Sequence, residues 1–214
     1  MSESFLYSIG HSNKTIEELI SELRLYGIQY LIDVRSMPYS KYHPHFNKEP
    51  LKLAINQTGD IKYGYMGDVI GGLPQNDECY TKGKVDYSKI RKMPFFIEGL
   101  ERLINANEKG YKTCVMCSEG DPSMCHRSKL IGEALREKGI ILQHICHDHN
   151  GKPILKSQID VINEVNKGAS IINLFGETEE LTSRKVYKEG LKSTLLALMA
   201  VPKRNSLVSL QSLR

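Results

Sequence analysis

Apolar residues come in short blocks separated by stretches with a helical period, and this alternation sets the first expectation for the fold. FLYSIG (5–10) is a continuous apolar run of strand length. IEELISELRLYG follows, with Ile16, Leu19, Ile20 and Leu23 on one helical face, Thr15 and Glu18 as a capping box, and Gly27 where a helix ends. IQYLIDV is a second buried strand, so residues 5–34 read as strand, helix, strand, with parallel strands and a right-handed crossover.

SMPYSKYHPHFN, residues 36–47, has two prolines and no period and is expected to be a loop. A short helix from Glu49 to about Gln57, a third strand in IKYGYM and a Gly-rich connection over 67–87 follow. A connection of that length is often a lid or binding loop. Phe96, Leu100, Leu103 and Ile104 form the apolar stripe of a helix from Pro94 to Gly110. YKTCVMC and IILQHIC are strands, and SKLIGEALREKG between them is a helix ending at Gly139. The pattern predicts an α/β domain over residues 1–150, a Rossmann-like sandwich with a mainly parallel sheet. Residues 151–214 differ: a helix near 156–167, the segment SIINLFGE and a helix from about Ser183 to Ala200 predict a small helical C-terminal extension packing on that domain.

A chain of 214 residues buries a core of its own without disulfides. No basic leader with an apolar run opens it, and no run of about 18 apolar residues occurs, so a cytoplasmic protein that does not cross a membrane is expected. The net charge of +4 comes from residues 151–214, which hold 10 Lys and Arg against 6 Asp and Glu, while residues 1–150 are balanced. The excess favours an acidic partner at the tail and says little about a site. Cys79, Cys114, Cys117, Cys125 and Cys146 are an odd set, which points to free thiols, catalysis or metal before disulfides.

In open α/β sheets ligands bind beyond the carboxyl ends of the parallel strands. Three polar stretches fall there: Gly10 to Asn13, Asp33 to Arg35, and CSEGDPSMCHR (117–127). Asp121 as N-cap and Pro122 as first helical residue put Ser123, Met124 and Cys125 in a first turn, where backbone N–H groups and the helix dipole favour an anion. A cysteine there, beside His126 and Arg127, has a lowered thiol pKa and is a candidate nucleophile. The plain alternatives are a simple helix start with a packed thiol, and a strand-end salt bridge between Asp33 and Arg35.

Zinc is a third reading, drawing on Cys114, Cys117, Cys125, His126, Cys146 or His147. On a strand, however, Cys114 and Cys117 project from opposite faces. The pairs His43/His45 and His147/His149 read as solvated groups, and no metal or cofactor is assigned. The loop at 36–47 interleaves Tyr39, Tyr42 and Phe46 with Lys41, His43 and His45, a mixture that stacks a base and approaches a phosphate. Packing of those rings on the sheet edge is its alternative.

Taken together, YSIGHSNKTIEELISEL, LIDVRSMPYSKYHPHFN, GGLP, CSEGDPSMCHR and the HI of the next strand resemble the bacterial domain-of-unknown-function family DUF488 over at least residues 5 to 147. The family has no settled reaction. The resemblance implies the α/β fold and selects His11, Ser12, Asp33, Arg35, Cys117, Glu119, Cys125, His126 and Arg127 as site residues. IINLF (171–175) is similar to a sliding-clamp-binding peptide through Leu174 and Phe175, with Ile171 in place of the usual Gln.

Two functions compete. In the first, an enzyme binds a small anionic, phosphate- or nucleotide-like substrate through Ser12, Arg35, Arg127, Ser123, Tyr39 and His43. Cys125 or Cys117 is its reactive thiol, His126 or His11 its proton carrier, and Glu119 and Asp33 its orienting carboxylates. In the second, a non-catalytic module binds nucleic acid through the 36–47 loop and the basic tail. A metal-dependent hydrolase is a further alternative.

Overall fold

The structure, a computed structural model, describes residues 4–166, 170–172 and 178–180. Strands β1 (Leu6–Gly10), β2 (Tyr30–Asp33), β3 (Lys62–Tyr65), β6 (Thr113–Cys117), β7 (Gln143–His147) and β8 (Pro153–Ser157) form one sheet in the order β3-β2-β6-β1-β7-β8. The first five are parallel and β8 is antiparallel to β7. The α/β class with a mainly parallel sheet therefore holds. Because β6 lies between β2 and β1, the order is not the 3-2-1-4-5-6 of dinucleotide-binding sheets. Two short pairs lie outside the sheet, β4 (Tyr80–Thr81) with β5 (Lys84–Val85), and β9 (Ser170–Ile172) with β10 (Thr178–Glu180).

Helices cover both faces. The capping box at Thr15 and Glu18 forms as the sequence predicts and starts α1 (Ile16–Leu25), which packs with α2 (Lys48–Gln57) on one face. Leu19, Leu23, Leu51 and Ile55 meet Ile9, Leu31 and Met116 there. The other face holds α4 (Pro94–Glu108), the short α3 (Tyr87–Ile90) and a helix formed of a π-helical segment, Arg127–Gly132, running into α5 (Glu133–Glu137). Phe96, Leu100, Leu130, Ile131 and Leu135 pack there on Leu6 and Val115.

The sheet continues past residue 150. Gly151, at φ +77°, turns the chain so that β8 pairs with β7, and α6 (Gln158–Asn166) then packs through Val161 and Ile162. The predicted helix over 156–167 is thus present but preceded by an edge strand. The predicted helix at 183–200 and the pair Leu174 and Phe175 lie outside the described residues. Among the described residues no helix is long and apolar enough to cross a membrane.

A buried polar chain ties α6 to the sheet. Ser8 donates to His144 Nδ1 at 2.6 Å, His144 Nε2 donates to Gln158 Oε1 at 2.7 Å, and Gln158 Nε2 donates to Glu133 Oε1 at 2.9 Å. Burial, with the Arg127 charge adding to it, lowers the His144 pKa to about 4. The unfolded chain takes that proton below about pH 6.5 and the folded one only near pH 4. Stability is therefore fully present above pH 6.5 and falls between there and pH 4, by up to about 3 kcal/mol from this residue. Urea titrations across that range should show the slope, and His144→Gln should reduce it. An unchanged slope in the variant contradicts the assignment.

Candidate functional site

The crossover from β1 runs over one face and the helix after β6 over the other, so the crevice between β1 and β6 is the topological switch point. The two strand ends are tied together there. His11 N–H donates to the Cys117 carbonyl at 3.0 Å and Ser12 N–H to the Ser118 carbonyl at 2.9 Å. The approach needs glycine at position 10, since a Cβ there would lie 1.9 Å from the Glu119 carbonyl oxygen. Ser12 itself sits at φ +47°.

Asp33 and Arg35 form a buried, two-pronged ion pair, Nε to Oδ1 at 2.9 Å and Nη2 to Oδ2 at 2.6 Å. Arg35 also donates to the Phe46 carbonyl at 2.7 Å and to His11 Nε2 at 3.2 Å, and Tyr63 OH donates to Asp33 at 3.0 Å. The strand-end salt bridge is therefore what these residues make. Its guanidinium fixes the 36–47 loop, and three of its four assigned hydrogen bonds go to Asp33 and Phe46. His11 stacks on Phe46 with ring centroids 4.2 Å apart, and its Nδ1 meets the Ser12 carbonyl at 3.0 Å. Burial, then the Arg35 charge, lowers its pKa to about 4, which keeps it neutral.

Across β6 from this knot lies a second cluster. Pro122–Met124 closes a separate turn capped by Asp121, whose carboxylate accepts from Ser123 N–H and Oγ, each at 2.8 Å. The main helix starts later than the sequence predicts. Cys125 precedes it in extended conformation, its carbonyl accepting from Lys129 N–H at 3.1 Å. That conformation turns the Cys125 sulfur inward, toward Cys117 at the end of β6 and toward the next residue, His126. The two sulfurs and one His126 ring nitrogen lie within 4.8 Å of one another, and all three residues are buried.

Arg127 is fully buried beneath them. Its Nε and backbone N–H donate to Cys125 Sγ at 3.3 and 3.5 Å, and its Nη2 donates to the Glu119 carbonyl. The Cys125 thiol pKa falls because the Cys117 S–H points to it and His126 and Arg127 add to the effect, against the cost of burial. Cys117 is driven up by that same hydrogen bond and by burial. The connection at 67–87 covers the cluster. A Cβ on Gly72 would lie 2.8 Å from the His126 ring, and burial followed by the charges of Cys125 and Cys117 pushes Tyr87 up to about 12.

The remaining assigned residues scatter around this centre. Glu119 is exposed, and its carbonyl alone meets Arg127. Tyr39 and Tyr42 stand exposed at 67% and 91%, and half-buried His43 lies 6.3 Å from the His11 ring. Phe46 of the same loop is fully buried, so ring packing on the sheet edge holds for that residue and not for the tyrosines. Cys114 points into the α1 and α2 face, away from Cys117, as the strand geometry predicts. Sequence reasoning missed Val34, Tyr63 and Tyr87. Nothing in their local sequence distinguishes them, because each acts through a partner distant in the chain.

A cleft of about 1220 Å³ opens on the other side of the 120–123 turn, between α1, α6 and the end of β7. Its lining sets Lys14 and Lys156 against Glu17, Glu18, Glu22, Asp121 and Glu164, so it repels anions.

Residues 15–134, which contain the ion pair, the aromatic loop and the whole cysteine cluster, match the family described as Domain of unknown function DUF488. The chain belongs to the DUF488 family. No curated protein and no solved structure matches it. Within this DUF488 chain the match stops short of His11 and Ser12 and of β7.

Proposed function

We propose that this DUF488 protein is an enzyme for a nucleotide-like anionic substrate, bound on the 36–47 loop and transformed at the Cys117, Cys125 and His126 cluster. The observation that carries the reading is the exposure of Tyr39 and Tyr42 on a loop with Lys41, His43 and His45 and no acidic residue, rooted at the same strand rim as the cluster. Exposed rings beside cations recognise a base and its phosphate. The acid-lined cleft does not suit such a ligand, which favours the loop side of the rim. Five free cysteines fit a reducing compartment such as the cytoplasm.

The same tyrosines support a nucleic-acid-binding module, and one experiment separates the two. Wild type is titrated with a nucleoside 5′-monophosphate and with a short single-stranded oligonucleotide, and product formation from the mononucleotide is followed by chromatography. Tyr42→Ala is expected to weaken mononucleotide binding about 5- to 100-fold. Cys125→Ser is expected to keep binding and lose turnover. Binding of the oligonucleotide alone, with a steep salt dependence and no effect of Cys125→Ser, contradicts the enzyme reading.

A further inference from the structure

The ligand atoms at the centre of the cluster, two sulfurs and one ring nitrogen, lie within 4.8 Å of one another. His126 Nε2–H donates to the Val34 carbonyl at 3.1 Å, which leaves Nδ1 as the ring nitrogen placed to coordinate. That nitrogen faces Cys117 Sγ and Cys125 Sγ, each at 3.7 Å. Both sulfurs approach it equally. A tetrahedral zinc ion with Zn–S near 2.3 Å and Zn–N near 2.05 Å separates its sulfur and nitrogen ligands by about 3.6 Å. The observed spacing matches that edge.

We propose that Cys117 Sγ, Cys125 Sγ and His126 Nδ1 bind a thiophilic divalent ion of the zinc class. The chemistry around the ligands agrees. The Val34 carbonyl orients the imidazole as outer partners of metal-bound histidines do, and Arg127 donates two hydrogen bonds to the Cys125 sulfur, supporting a ligand that stays anionic. Gly72 leaves room for the His126 ring, since a Cβ there would lie 2.8 Å from it. Among the described residues no fourth Cys, His, Asp or Glu joins the set, and a three-ligand zinc site leaves its fourth position to water or a substrate atom. Cys114 and Cys146 take no part. The proposal rests on the reading that this cluster is the reactive centre and names what that centre holds.

The test is made on the full chain, carrying no polyhistidine tag and purified under reducing conditions. Elemental analysis is expected to find about one zinc per chain after dialysis. Cys125→Ser and His126→Ala should each lower that content about tenfold or more, while Cys146→Ser should not. Since variants in a buried cluster can misfold, cobalt(II) is also added to metal-stripped wild type, where thiolate-to-metal charge transfer and intense tetrahedral d–d bands are expected. Reduced wild type with neither bound metal nor a cobalt spectrum overturns the proposal, as does recovery of Cys117 and Cys125 only as a disulfide or as rapidly alkylated thiols. Those outcomes leave the proposed function standing. Metal binding without any mononucleotide binding supports the metal site and removes the proposed function.

Discussion

Asp33→Ala should cost about 3–5 kcal/mol of stability, because it leaves the Arg35 guanidinium buried without its counter-charge. Asp33 is fully buried and receives four hydrogen bonds, from Arg35 N, Nε and Nη2 and from Tyr63 OH. Removing it strands a cation that is itself only 4% exposed. The double variant Asp33→Leu/Arg35→Met removes both charges and should recover much of the loss, since a buried pair contributes less than the penalty for breaking it. Urea midpoints for Asp33→Ala and the double variant measure this. A loss below about 1 kcal/mol for Asp33→Ala means that Arg35 finds water or another partner, and the pair is then not the anchor of the 36–47 loop.

Gly10→Ala should cost about 3 kcal/mol, at the upper end for overpacking. The added methyl meets a backbone carbonyl at 1.9 Å, and a backbone cannot step aside as a flexible side chain does. The movement that relieves it pulls the Glu119 carbonyl from Arg127 and strains the two hydrogen bonds joining β1 to β6. Metal content and mononucleotide turnover should therefore fall together with stability. Gly139→Ala is a contrasting variant, with nothing within 4 Å of its Cβ but a φ of +78°, so its smaller loss comes from backbone strain alone and should leave the cluster intact. Equal effects of the two on the cluster would count against the role given to Gly10.

Where signals were local, the fold was legible. Thr15 and Glu18 cap α1 as read, and Pro94 opens α4. The order of parallel strands was not legible, since β6 inserts between β1 and β2 through contacts far apart in the chain. Asp121 and Pro122 gave a true capping signal for the wrong element. The cap serves a three-residue turn closed by Cys125 N–H to the Pro122 carbonyl, and the helix waits until Cys125 has turned its sulfur inward. A local pattern records that a turn begins, not how far it runs.

The residue types of the site were visible, and their pairings were not. Arg35 and Arg127 both read as anion binders, yet one is held mainly by Asp33 and Phe46 and the other by Cys125 and Glu119. A buried arginine and a ligand-binding arginine have the same local sequence. Likewise Phe46 and Tyr42 share one loop, and only the tertiary fold decides that the first is covered by His11 while the second stands in solvent. The cysteine motif pointed to Cys117, Cys125 and His126, but their convergence on one point depends on the Val34 carbonyl, which no side-chain pattern records.

X-ray absorption at the zinc edge, on the zinc-loaded full chain, probes that convergence most directly. Two sulfurs near about 2.3 Å and nitrogen or oxygen near about 2.0–2.1 Å are expected around the ion, reduced to one sulfur in Cys117→Ser. A shell of oxygen and nitrogen alone would place the ion elsewhere and rule out the cysteine cluster as its site.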